Sequence, residues 1–304
     1  KSRGLGDVYK RQDLHAAMTM DALDAGLHVL CVKPLALNVD QARKMYEKAE
    51  AADLKHMTYF TWRWLPSNHY MQQLIEEGYI GKAYHGQFRF IVAGGREAKY
   101  RWRFDRQRAN GVLADLGSHM IDLARLWMGE IVRVNAHLET FVQRPGPEGG
   151  PLDPANDVAL LNLQFESGAV GSIHVSAVAY TADRFQEQHI VLHGARGTLE
   201  ADSSFQGSDW ARMAIKTPCQ VRGAREADAR FEVLPLPDRL WKNADPENGF
   251  SVFTGQSAGA RAFVDAIVAG RPMKPDFEDG VKVQQVIDAA LRSHREGGWV
   301  SVTE

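Results

Sequence analysis

Cysteine is almost missing from this chain. Cys31 and Cys219 are the only two in 304 residues, and neither sits in a Cys-x-x-Cys or Cys/His set, so no disulfide framework and no structural zinc site is expected. Both are read as free thiols, and no metal is required. Long hydrophobic runs are missing too: none approaches the ~18–20 residues of a transmembrane helix, and no signal peptide is visible, which makes the cytoplasm the default compartment. Charge of one sign is not in excess. Lys and Arg number 36 against 38 Asp and Glu, a net charge of −2 that offers nothing to attract nucleic acid or an anionic membrane. There is no internal repeat and no low-complexity tract.

What the chain does have is length for two domains and a change of rhythm near residue 60. Residues 13–26 carry apolar side chains at helical spacing and end on a glycine, and residues 28–32 read as an apolar strand. Asn38 caps a second helix to about Ala52, and residues 55–60 form a further strand. This alternation is the tail of a doubly wound parallel sheet. After Pro66 and a helix to about Glu77, strands dominate, at residues 83–92, 132–141, 158–165, 170–178 and 188–193. Glu166-Ser-Gly168 joins two of them as a hairpin would, so neighbouring strands are expected to be antiparallel. Residues 145–154, with four prolines and three glycines, form a surface loop, while residues 202–250 read either as an insertion over a site or as plain connections. Helices near residues 256–269 and 280–295 close the chain. Met71, Met120 and Met128 fall at helical spacing among apolar residues and belong to the core.

Two elements carry chemistry. Gly111-Val-Leu-Ala-Asp115-Leu-Gly117-Ser-His119-Met-Ile-Asp122 sets a carboxylate and an imidazole at i and i+4. On a helix starting near Asp115 their β-carbons lie about 5–6 Å apart, so both can touch one small molecule, and Asp122 is in place to steady the imidazole. The plainer reading makes Asp115 a helix cap and His119 a partly buried histidine. The other element is the strand at residues 28–32, which delivers Lys33 and Pro34 at its end. An exposed strand-end lysine is the alternative there.

Together, a strand-end Lys-Pro and a later Gly-x-x-x-Asp-x-Gly-x-His-x-x-Asp pattern resemble the Gfo/Idh/MocA family of nicotinamide-dependent sugar and polyol dehydrogenases. Lys33 and Pro34 match the end of that family's Glu-Lys-Pro motif, and Asp115 and His119 match its substrate-contacting Asp and His. Asp13-Leu-His15, Tyr59-Phe-Thr-Trp-Arg63-Trp-Leu-Pro66, Asn156-Asp157, His193-Gly-Ala-Arg-Gly197 and Phe277-Glu-Asp-Gly280 fall in the family's order. The resemblance implies part of a Rossmann domain over residues 13–60, then a substrate domain over residues 61–304 with a large, mainly antiparallel open β-sheet flanked by helices. It implies NAD or NADP as cofactor and hydride transfer to or from a secondary alcohol of a sugar, inositol or related polyol.

Within that reading Lys33, Asp115 and His119 are catalytic. His119 is the general base, with an unperturbed pKa of ~6.5, and Lys33 binds the same oxygen or acts as the base instead. Asp115 accepts from a neighbouring hydroxyl, and Asp122 fixes the tautomer of His119. His15, Lys33, Pro34 and Arg63 face the cofactor, while Trp102 and Arg103 wall the substrate pocket, with an exposed loop as the alternative for that pair. A homodimer or homotetramer through the open sheet is implied by analogy.

The chain departs from the family in two places. Val32 stands where the family has Glu, so that acid's contact is absent or replaced. A dinucleotide site also needs a strand, a Gly-x-Gly-x-x-Gly turn and a later acidic residue, and none is found. Gly4 and Gly6 follow no strand, so residues 1–12 read as a foreign leader and the chain as shortened by several tens of residues. A non-catalytic dinucleotide or sugar sensor, and an inactive fragment, are the competing readings. Residues 96–108 interleave six basic residues with Tyr100, Trp102 and Phe104 as a nucleic-acid groove would, but Glu97 and Asp105 dilute the charge and no second patch extends it.

Overall fold

A computed structural model describes residues 11–182, 184–206, 220–225, 230–241, 244–246, 251–254 and 257–303. Its first part alternates α1 (His15–Asp24), β1 (Val29–Val32), α2 (Val39–Ala51) and β2 (His56–Tyr59), and the two strands pair in parallel with Val29 opposite His56. Asn38 starts α2 as its sequence implies: its side chain accepts from Gln41 N, one of the N–H groups a helix start leaves unpaired. Ala42, Met45 and Ala49 recur at helical spacing and are buried against Leu23, Cys31 and Leu35. Residues 1–10 lie outside the described residues. Gln12, the last residue read as leader, is buried, and its Nε2 donates to Ala36 O at 2.8 Å, so the packed fold includes it.

The chain then crosses into α3 (Pro66–Glu76), β3 (Ala83–Val92), α4 (Ser118–Met128) and β4 (Ile131–Glu139). The strands β5 (Val158–Phe165), β6 (Val170–Ser176), β7 (Arg184–Gly194), β8 (Thr198–Gln206), β9 (Gln220–Ala224) and β10 (Glu232–Leu234) follow. The helices α5 (Ser251–Thr254), α6 (Ala258–Val268) and α7 (Phe277–Glu296) and the short β11 (Val300–Ser301) come last. Nine strands form one sheet in the order β10-β9-β8-β7-β3-β6-β5-β4-β11. All pairs are antiparallel except β3 with β6, so the sheet is mixed. Residues 166–168 make the expected hairpin between β5 and β6.

Period-2 alternation gives this sheet two different faces. On β3, Gly86, Phe88 and Phe90 are buried while His85, Gln87 and Arg89 are exposed. The buried face carries α4 and α7: Phe88 stacks on Trp127, with ring centroids 6.2 Å apart, and Ser293 Oγ accepts from Ala136 N at 2.9 Å. Met71, Met120 and Met128 are buried in this core.

Several elements depart from their sequence outlines. The helix expected from residue 280 begins at Phe277, because Asp276 and Asp279 form a reciprocal capping box. The strand expected at residues 188–193 runs longer, as Arg184–Gly194. Residues 202–250 are neither one insertion nor bare connections where described, since they hold the end of β8, all of β9 and β10, and a tight turn at Asp238–Leu240. The two units are also not separate in space. Phe263 and Ala266 of α6 pack with Met57 of β2, and Phe277 and Val281 of α7 join the core under α2.

Candidate active site

Lys33 leaves the carboxyl end of β1, followed by a cis bond to Pro34, and the carbonyls after it are held by side chains. His15 Nδ1 meets Pro34 O at 2.9 Å, Gln12 Nε2 holds Ala36 O, and Leu37 O accepts from Asn110 Nδ2 at 2.8 Å and Gln284 Nε2 at 3.3 Å. A carbonyl only accepts, so His15 carries its proton on Nδ1. Cys31 lies beneath, buried, with its thiol pushed up to about 12 by that burial. Cys219 lies outside the described residues.

Asp115 does not open an α-helix and caps nothing. It sits in a π-helical turn, Leu113–Gly117, that runs into α4, so Asp115 and His119 are not related by one regular α-helix as the spacing suggests. Lys33 Nζ reaches Asp115 Oδ1 at 2.8 Å and also donates to the main-chain oxygen of Asp115. Arg103 Nε approaches Asp115 Oδ2 at 3.3 Å, and the Arg103 guanidinium lies over the Trp102 ring, 4.4 Å from its centroid. Trp102 and Arg103, expected from the sequence to wall a substrate pocket, thus come to the same place as Lys33 and Asp115.

His119 is 4% exposed, with the Trp62 ring edge-on at 5.9 Å and the Phe90 ring tilted against it at 6.3 Å between centroids. Its Nδ1 is buried without a hydrogen-bond partner among the described residues. The expected support from Asp122 is not there. Asp122 accepts from Arg63 Nε at 2.7 Å and from Arg63 Nη2 at 2.6 Å, a bidentate pair whose carboxylate is sealed from solvent. That pairing ties Arg63 to α4. It lies within a buried ionic cluster where Asp279 Oδ1 is 3.5 Å from Arg63 and 3.7 Å from Arg125. Sequence spacing could not foresee this, because the partner of a buried carboxylate is chosen by whichever cation the tertiary fold brings to it.

The site's electrostatics follow from burial and from one shared carboxylate. Burial, then the nearby Lys33 charge, drives the His119 pKa well below the usual imidazole value, so the ring is neutral at pH 7. Burial also lowers Lys33, against the opposing pull of Asp115. Asp115 feels burial upward, but Lys33 and Arg103 outweigh it and hold the carboxyl below the ordinary range. The group is a carboxylate between two cations beside a neutral imidazole.

A nicotinamide dinucleotide fits this donor set at its reactive end. Open α/β sheets bind such ligands at the carboxyl ends of their strands, where Lys33 and Pro34 stand. Lys33 spends two of its three N–H groups on Asp115, which leaves one to donate to a ligand. Among the described residues no group of His, Cys, Asp and Glu is arranged to hold a metal ion, and no helix is long and apolar enough to cross a membrane. Most basic residues of the 96–108 segment are occupied: Lys99 and Arg101 pair with Glu97, Arg106 with Asp153 and Arg108 with Asp13 and Asp105.

A parallel-strand lysine set against a carboxylate and an imidazole on a second, sheet-based unit defines a two-part oxidoreductase. The chain belongs to the Gfo/Idh/MocA oxidoreductase family: residues 7–60 match the model of its NAD-binding Rossmann fold and residues 72–302 that of its C-terminal alpha/beta domain. It is 28% identical to levoglucosan dehydrogenase of Pseudarthrobacter phenanthrenivorans, over 98% of this chain and 80% of that protein. It is 24% identical to D-apiose dehydrogenase of Rhizobium rhizogenes, over 97% of this chain and 78% of that one. Among solved structures, levoglucosan dehydrogenase in complex with NADH and levoglucosan superposes with a TM-score of 0.84 at 26% identity, covering 98% of this chain and 80% of the other.

Proposed function

We propose that this chain transfers a hydride between a secondary alcohol of a sugar, inositol or related polyol and NAD or NADP, with Lys33, Asp115 and His119 as the reacting constellation. The observation that carries the reading is the 2.8 Å contact between Lys33 and Asp115, residues 82 positions apart, beside a neutral buried imidazole. When bound, the nicotinamide supplies the hydride chemistry. His119 takes the hydroxyl proton at Nε2, since Nδ1 is enclosed by the core. Lys33 donates its third N–H to the same oxygen and stabilises the charge that grows there. Asp115 holds that ammonium and accepts from an adjacent hydroxyl, which favours polyols over simple alcohols. Residues 13–60 supply the cofactor side and residues 61–304 the substrate side. The depressed pKa of Lys33 favours one variation, in which the lysine takes the proton. Assembly of a homodimer or homotetramer through the exposed face of the nine-stranded sheet, in the cytoplasm, completes the reading.

The test is absorbance at the reduced-nicotinamide band with levoglucosan, D-apiose, D-xylose and myo-inositol, with either cofactor, alongside calorimetric titration of NAD and NADP. Turnover is expected, and Lys33→Ala and His119→Ala should each lower it by about two orders of magnitude or more while the fold persists. Binding of cofactor without turnover of any polyol would favour a sensor of the same fold, and near-normal turnover in both variants would remove the site assignment.

A further inference from the structure

We propose that Asn110 and Asn156 form a carboxamide relay that registers Lys33 against Asp115, acting as positioning residues that touch no reacting atom. A 2.8 Å contact between side chains from different elements requires both backbones to be fixed, and the same two amides reach both. Asn156 is 6% exposed and stands just before β5. Its main-chain oxygen accepts from Val112 N at 2.9 Å and its Oδ1 accepts from Leu113 N at 2.9 Å, which anchors the first residues of the π-helical turn that carries Asp115. In the other direction its Nδ2 donates to Asn110 O at 3.0 Å, and Asn110 Nδ2 donates to Leu37 O at 2.8 Å, four residues beyond Lys33. Hydrogen bonds therefore run from one strand start to the lysine's loop and to the aspartate's turn.

The partners dictate the chemistry. A main-chain N–H only donates and a carbonyl only accepts, so the orientation of both carboxamides is forced and a carboxylate in either place would set oxygen against oxygen. The approach between the chains is also too close for any other residue at the intervening position. Gly111 has φ +66°, and a Cβ there would lie 2.3 Å from Asn156 O. The sequence hid this device because the two asparagines are 46 positions apart and neither carries a charge that marks it.

The inference rests on the proposed function for its effect on turnover, but its test reads the lysine directly. Asp115 is what holds the Lys33 ammonium up against burial, so a displaced Asp115 lets Lys33 titrate lower. Trace acetylation of Lys33 with acetic anhydride across pH, followed by peptide mass spectrometry on the full chain, measures that titration. In Asn110→Ala and Asn156→Ala, which cut the links without adding charge, we expect the Lys33 midpoint to fall by about one pH unit, a tenfold change in its amine-to-ammonium ratio. Asn162→Asp, on the exposed sheet face, should leave it unmoved. If Asn156→Ala fails to fold, Asn110→Ala, which removes only the side-chain link to Leu37, decides. An unchanged Lys33 midpoint in a folded Asn110 variant overturns the relay whatever the turnover does. A shifted midpoint with unchanged turnover would uphold the relay and retire the catalytic role of Lys33.

Discussion

Lys33 holds Asp115 twice, through the carboxylate at 2.8 Å and through that residue's own main-chain oxygen. The second bond survives any change of side chain, so Asp115→Asn separates charge from placement. An opposite charge at such range favours the charged form by about 1–3 pKa units. Without it Lys33 loses the interaction that opposes its burial, and its pKa falls further. The alkaline limb of the kcat/KM profile should move to lower pH by at least about one unit. A profile superimposable on that of the parent would mean that Lys33 does not govern it.

Stability should fall in mild acid because of His119. Its folded pKa is well below 6.5, so between that value and 6.5 the unfolded chain binds a proton that the folded chain refuses. Protonation then favours unfolding, and each unit of depression contributes about 1.4 kcal/mol. Stability is complete above about pH 6.5 and declines as pH falls below it. Asp115, held below the ordinary carboxylate range, adds a further loss only below about pH 4. Urea unfolding at pH 7 and pH 5 should show a larger difference for the parent than for His119→Phe. Equal differences would place the titrating group elsewhere.

Arg63 and Asp122 should matter more to folding than to chemistry. Arg63→Ala leaves a carboxylate sealed from solvent with no cation bonded to it, a change of about 3–5 kcal/mol. Arg63→Lys should recover only part of that, because an ammonium cannot make both bonds of the fork. Denaturant titration measures the loss. Were Asp122→Asn to leave stability intact and abolish turnover, Asp122 would instead serve the imidazole.

Much of the fold was legible because its signals are local. The Asn38 cap, the alternation along β3 and the turn at residues 166–168 each follow from a few adjacent residues. Lys33, Asp115 and His119 were legible as a pattern, and the structure joins the first two directly. The π-helical turn was not, since its extra residue per turn leaves no periodic mark in so short a stretch. Nor were the true neighbours of His15 and Asp122, which are Pro34 O and Arg63: polar partners are settled by tertiary approach, not by spacing. Asn156 stood in a recognised dipeptide, yet nothing beside it pointed to Asn110 or Leu113.

The small parallel sheet cannot seal itself. Its inner side is closed by α6 and α7, and His56 accepts from Phe277 N across 221 positions. On the ribosome β1 and β2 must therefore wait, partly uncovered, until those helices emerge, and such distant closure slows folding. Severing the polypeptide after residue 60 would accordingly yield a piece with Met57 stripped of its cover, whereas a nick in the exposed stretch at residues 147–150 should be borne with little harm.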